Sequence, residues 1–132
     1  MNSILIVEDE ERIRKVFKQW LDHEGYIAWE APDAQTARER LWAVPIDLVL
    51  LDLKMPNVTG QELYTLIRTF HKRVKILTAS VYPIEQQKNM IEDADDYHDK
   101  SDGNKMLLEK IKNALNDYSS IREFDAKIKI RR

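Results

Sequence analysis

Residues 47–51 read Asp47-Leu48-Val49-Leu50-Leu51, and Asp52 follows at once. Four consecutive apolar side chains without polar alternation are the pattern of a strand covered on both faces. Ile4-Leu5-Ile6-Val7 and residues 74–78 read the same way, and residues 26–30 do so more weakly. A fifth strand over residues 95–98 carries almost no hydrophobic signal and is inferred from its place in the pattern.

Helical periods lie between these runs. Ile13, Val16, Phe17, Trp20 and Leu21 form one apolar stripe, and Gly25 is placed as its stop. Ala34, Ala37, Leu41 and Val44 form a second, with Asp33 as N-cap. Leu63, Leu66, Ile67 and Phe70 form a third after Gly60, and Ile84, Gln87 and Ile91 a thinner fourth after Pro83. Leu107, Leu108, Ile111 and Leu115 form a fifth, with Ser101 or Asp102 as its expected cap. Strand followed by helix, five times over, predicts an α/β fold: a doubly wound parallel sheet with helices on both faces and right-handed crossovers.

Composition narrows the function. The chain has 132 residues, about one domain. With 43% hydrophobic and 33% charged residues it is expected to fold as a soluble domain. A net charge of −2 provides no basic field for nucleic acid. The absence of cysteine excludes disulfides, thiolate zinc sites and cysteine nucleophiles. Gly25, Gly60 and Gly103 are too far apart for a P-loop or a dinucleotide fingerprint. Ile4-Leu5-Ile6-Val7 is short and runs into four acids, Glu8 to Glu11, so no signal peptide is expected. No apolar run approaches the ~20 residues that span a bilayer, and a cytoplasmic location is expected.

In an open parallel sheet, ligands bind beyond the carboxyl ends of the strands. Glu8 and Asp9 end the first strand, Asp52 the third and Thr78 the fourth, and Lys100 follows the fifth. Each has a bland reading as a cap or a solvated loop residue. Together they place three acids, a hydroxyl and an ammonium at one edge. Crowded carboxylates repel, and a hard divalent cation relieves them; few carboxylates with several retained waters suit Mg²⁺. A carboxylate beside that ion can attack phosphorus, while a hydroxyl and a lysine bind the phosphoryl oxygens.

At this point the chain resembles the receiver domain of two-component response regulators, over about residues 4–116. The resemblance rests on four segments in order. They are Ile4-Leu5-Ile6-Val7-Glu8-Asp9-Glu10; the stretch from Leu50 through Asp52, Lys54, Met55 and Pro56 to Gly60; Ile76-Leu77-Thr78-Ala79; and Ala94-Asp95-Asp96-Tyr97-His98-Asp99-Lys100. It implies a five-stranded sheet in the order 2-1-3-4-5. It implies Asp52 as phosphoacceptor, with Mg²⁺ held by Asp9, Asp52 and the main-chain carbonyl of Lys54, and Glu8 holding a metal-bound water. Thr78 and Lys100 bind the phosphoryl group in this reading, and Tyr97 is the aromatic that changes rotamer with Thr78. Ala79 leaves access to Asp52, and Lys54 and Ser80 tune phosphate loss.

Three positions depart from the family pattern. Ser101 stands where proline, usually cis, is common; a cis bond without proline costs about 2.5–4 kcal/mol, so a trans bond or an altered loop is expected. Asp93 stands where glycine is common, and a positive φ there would strain it. The fourth helix is weakly apolar and opens with Val81-Tyr82-Pro83.

The receiver is assigned residues 1–118. Residues 119–132, with Phe124, Ala126, Ile128 and Ile130 alternating with charges, are read as linker or added edge strand. Trp20, Trp29 and Trp42 are read as packing residues, His71 and His98 as solvated, and Asn57-Val58-Thr59 as a chance sequon. The leading function is a phosphorylation switch and not an enzyme on a separate substrate. It takes its phosphoryl group from a histidine kinase or phosphotransfer protein. It signals through the fourth helix, fifth strand and fifth helix to an output protein, a further domain or a second copy. The alternative is a pseudo-receiver that binds partners without phosphorylation. A Mg²⁺-dependent phosphatase would want an acid two residues after its nucleophile, where Lys54 stands. No DNA-binding domain is expected within this length, so the chain is read either as a stand-alone receiver or as one cut in a linker, and no membrane contact is expected.

Overall fold

The computed structural model describes residues 2–54 and 60–116. The Met55-Pro56 segment, the sequon and the 119–132 tail lie outside the described residues. Five strands alternate with five helices: β1 (Ser3–Val7), α1 (Glu11–His23), β2 (Ile27–Ala31), α2 (Ala34–Ala43), β3 (Leu48–Leu51), α3 (Gly60–Phe70), β4 (Lys75–Ser80), α4 (Ile84–Met90), β5 (Asp96–Asp99) and α5 (Asn104–Ala114). The sheet is parallel, in the order β2-β1-β3-β4-β5. The first and third strands are therefore neighbours, and their connections leave in opposite directions, which opens a crevice at their carboxyl ends.

The pleat divides the apolar residues into two cores. Leu5, Val7, Val49, Leu51 and Ile76 pack against Ala37 and Leu41 of α2, Leu63 and Ile67 of α3, and Ile91 after α4. Ile4, Ile6, Leu48, Leu50, Leu77 and Ala79 pack against Phe17 and Leu21 of α1 and Leu107 and Ile111 of α5. Residues in one register row share a side, as in Val7↔Leu51, Leu51↔Thr78 and Thr78↔Tyr97.

Local signals act where the sequence places them. Gly25 has φ +93°. Its N–H donates to the Asp22 carbonyl, and the Tyr26 N–H donates to the Leu21 carbonyl. That pairing closes α1 in a Schellman motif, with buried Leu21 and Tyr26 beside it. The Asp33 carboxylate accepts from the Thr36 N–H at 2.7 Å and caps α2. Asp95 ties the amino ends of β4 and β5: it accepts from the Ile76 N–H and from Arg68, which also donates to the Val74 and Asp93 carbonyls. Among the described residues the positive-φ non-glycine is Asn116, so Asp93 sits in ordinary backbone without strain.

Several expectations are corrected. Val16 is exposed, and Arg14 takes its place on the buried face with Phe17 and Leu21. Trp42 is 66% exposed and Phe70 is exposed too; they meet each other and His71 on the surface between α2 and α3. His98 is 1% exposed, not solvated, because β5 is covered on both faces. Burial holds its imidazole below the ordinary value, with nearby Lys110 acting in the same direction. α5 begins after Gly103 at φ +85°, and Ser101 and Asp102 form a short 3₁₀ turn before it. The Asp99 carboxylate builds that turn by accepting from the Ser101 N–H at 2.9 Å and its hydroxyl at 2.7 Å.

Asp33→Ala is expected to lower stability by about 1 kcal/mol through the lost cap. The bond to Thr36 holds the Asp33 carboxyl below its ordinary range. The contribution is therefore complete above the ordinary aspartate value and fades as pH falls through the lowered one. Urea denaturation of both proteins at neutral pH and in acid reads this directly: the gap must be present at pH 7 and close in acid.

Candidate functional site

The site lies where β1 and β3 end. Period-two alternation puts Glu8 and Asp52 one residue beyond Val7 and Leu51, on the side of α1 and α5. The Asp52 N–H donates to the Val7 carbonyl at 3.0 Å, which continues the ladder and fixes the carboxylate beside β1. Glu8 is 2% exposed and Asp52 6%, while Asp9 stands in solvent at the rim. Oxygens of Glu8, Asp9 and Asp52 all lie within 4.8 Å of one another.

Lys100 enters from the end of β5. Its Nζ is 2.6 Å from Glu8 Oε1 and 3.6 Å from Asp52 Oδ2. Among the described residues there is no cis peptide, and the 3₁₀ turn built by Asp99 delivers the lysine to the pocket where proline is absent. The Glu8 carboxyl is pushed above the ordinary carboxylate range, first by burial and then by the hydrogen-bonded Asp52 carboxyl; Lys100 pulls the other way. Lys100 thus pairs with the two buried acids, while Asp9 stands beside them in solvent.

The cleft holds about 240 Å³ and is lined by Glu8, Asp9, Glu10, Ile13, Asp52, Lys54, Val81 and Lys100. Its donor set is all oxygen, with no imidazole or thiolate, which suits a hard cation that keeps some of its waters. The residues present therefore fit Mg²⁺. The Lys54 N–H donates to Asp52 Oδ1 at 3.0 Å, which folds the chain back so that Lys54 borders the cleft. Ala79 lines the apolar floor behind Asp52 with Ile6, Leu50 and Phe17.

Two expected site residues are engaged elsewhere. Thr78 is two residues inside the end of β4 and fully buried, and its hydroxyl donates to Gln87 Oε1 in α4 at 2.7 Å. The Tyr97 hydroxyl donates to the Ile91 carbonyl at the end of α4. Ser80 is buried, with its hydroxyl accepting from the Tyr82 N–H; the neighbouring Val81 is the residue that lines the cleft. Sequence reading missed Arg14, whose Nη1 donates to the Glu8 carbonyl at 2.9 Å and whose Nε meets Glu30 at 3.2 Å. Its spacing with Phe17 and Leu21 marked the buried face, but an arginine there reads as solvated. Gln87 stood on the α4 stripe, where its polarity was the overlooked signal.

The family model of the response regulator receiver domain matches residues 4–112. The chain belongs to that family. The transcriptional regulatory protein SrrA of Staphylococcus aureus is 37% identical over 98 residues, 73% of this chain and 40% of SrrA; the match thus spans well under half the length of that relative. The response regulator protein TrrA of Thermotoga maritima, solved in complex with Mg²⁺-BeF, is 35% identical with a TM-score of 0.80 over 87% of this chain and 100% of its own. A further structure holds TrrA in complex with the histidine kinase ThkA. A receiver domain protein of Methanospirillum hungatei is 29% identical with a TM-score of 0.82 over 91% of this chain and 98% of its own. As a receiver domain, the chain is part of a two-component system.

Lys100→Met removes the cation beside two carboxylates. It is expected to lower the melting temperature without Mg²⁺ and to tighten Mg²⁺ binding about 10-fold at pH 8, as removal of one repelling charge requires. Calorimetric titration measures it, and weaker binding would contradict the charge account. A Cβ on Gly60 would come within 3.0 Å of the Leu53 backbone and 3.2 Å of the Asp52 carbonyl. Gly60→Ala is therefore expected to cost about 1–3 kcal/mol in denaturant unfolding.

Proposed function

We propose that this receiver is a phosphorylation switch whose acceptor is Asp52. The observation that carries the proposal is the single cleft in which Asp52 stands with Glu8, Asp9 and Lys100. A histidine kinase, a phosphotransfer protein or a small phosphodonor supplies the group. An Asp52 carboxylate oxygen attacks phosphorus, the bond from phosphorus to the donor nitrogen or oxygen breaks, and the leaving group takes up a proton or departs as an anion. Asp9, Asp52 and the Lys54 carbonyl would hold Mg²⁺, with Glu8 acting through a water, and the ion would supply charge to offset the carboxylates and the phosphoryl oxygens. Lys100, already within reach of Asp52, turns from Glu8 to the new dianion, and the buried site orients the donor against one oxygen.

Thr78 then satisfies a further phosphoryl oxygen. Its departure from α4, and the matching change at Tyr97, shift an equilibrium at the α4–β5–α5 face. That face meets the output partner: a separate protein, a further domain or a second copy of the chain. The receiver catalyses only its own modification and its reversal. Among the described residues no helix is long and apolar enough to cross a membrane, which accords with a cytoplasmic switch. A phosphorylation-independent interaction module would have no need of this charge arrangement.

Acetyl phosphate with Mg²⁺ is expected to add one acyl phosphate to the wild type, seen as a mass increase lost on hydroxylamine treatment. Asp52→Asn should abolish it, and Asp9→Ala should raise the Mg²⁺ needed by at least about 10-fold, given the loss of one of few direct ligands. An undiminished adduct in Asp52→Asn would remove Asp52 from the role. No adduct in the wild type would favour the interaction module.

A further inference from the structure

Gln87 is fully buried, and its whole amide is spoken for. Nε2 donates to the Tyr82 carbonyl and to the His98 carbonyl, both at 2.8 Å, and Oε1 accepts from the Thr78 hydroxyl at 2.7 Å. This orientation is imposed by its partners. Reversing the amide would aim its oxygen at two carbonyls, so two acceptors on one side oblige the other side to be the acceptor. One side chain thus joins the β4–α4 connection, β5 and the hydroxyl of β4.

We infer that Gln87 is a positioning residue for phosphoryl uptake, a latch that holds the Thr78 hydroxyl on the α4 side of the sheet. This deepens the function proposed above and rests on it. Thr78 lies in the row of Leu51, one residue before Asp52, and on the opposite face from Glu8 and Asp52. To reach a phosphoryl oxygen the hydroxyl must leave Gln87. The abandoned Oε1 is then a buried acceptor without a donor, a costly state that α4 relieves only by moving. Tyr97 is bound at Ile91, the residue that caps the same helix, so both hydroxyls loosen one element. The latch lowers phosphoryl affinity in the resting state and converts uptake into movement of α4.

The test has two arms. Without any phosphoryl analogue, the Gln87 Nε2 protons are expected to exchange slowly in the wild type by NMR. Thr78→Val should shift them and speed their exchange; unchanged signals would overturn the latch. With Mg²⁺ and beryllofluoride as probe, Gln87→Met is expected to bind beryllofluoride about 2- to 12-fold tighter than the wild type, the range of one net hydrogen bond. Mg²⁺ binding alone should be unchanged, and the gain should vanish in a Thr78→Ala background. A purely structural glutamine would lose melting temperature without that gain, and a folded Gln87→Met with equal or weaker beryllofluoride binding overturns the inference. If Gln87→Met does not fold, movement of the wild-type Gln87 side-chain signals on beryllofluoride addition replaces it, and stillness counts against the latch. A wild type that takes up no beryllofluoride sinks the proposed function instead, and the first arm then decides the latch alone.

Discussion

A pleated strand turns its side chain over at each residue, and rows in register turn together. That alternation divides the working parts of this receiver between two faces. Val7, Leu51, Thr78 and Tyr97 form one row, on the side of α3 and α4. One step on, Glu8, Asp52, Ala79 and His98 take the side of α1 and α5. Carboxylates and switch hydroxyls thus lie one register step apart along the strands and on opposite faces of the sheet. Any event at Asp52 that recruits Thr78 must draw a side chain across the edge of the sheet. In the function proposed above, this is the route by which a change of charge at Asp52 reaches α4.

The acidic cleft depends on burial for its character. Glu8 and Asp52 are nearly inaccessible, and a lone buried carboxylate is expensive. Lys100 meets part of that cost at 2.6 Å from Glu8, while the Arg14 guanidinium holds the Glu8 carbonyl from beneath. The remaining negative charge faces the open side, where Asp9 stands. A site left short of positive charge suits a hard cation, as a fully paired cluster would not.

Polar side chains at buried positions carry the rest of the specificity. Arg14, Gln87 and Thr78 are each fully or almost fully enclosed; Thr78 and Gln87 bond to each other, and Arg14 bonds elsewhere. Arg14 joins α1 to the end of β1 and, through Glu30, to β2; Gln87 joins α4 to β4 and β5. Losing a partner for such a group costs more than losing an apolar contact of equal area. These positions therefore fix one arrangement of the helices over the sheet.

The sequence by itself determined the five strand–helix units, the strand ends that carry acids, the αL stop at Gly25 and the cap at Asp33, because each is a local pattern with a local cause. It also carried the family, since four spaced motifs leave little else that they could mean together. It misjudged Val16, Trp42, Phe70 and His98, because exposure is decided by what packs over a residue and not by its own polarity. Only the tertiary structure decided that Asp99 closes the turn that carries Lys100, that Lys100 rests on Glu8 more closely than on Asp52, and that Thr78 is held by Gln87. These are contacts between residues far apart in the chain or on different elements. Their geometry follows from how the sheet twists and the helices seat, which a one-dimensional pattern does not contain.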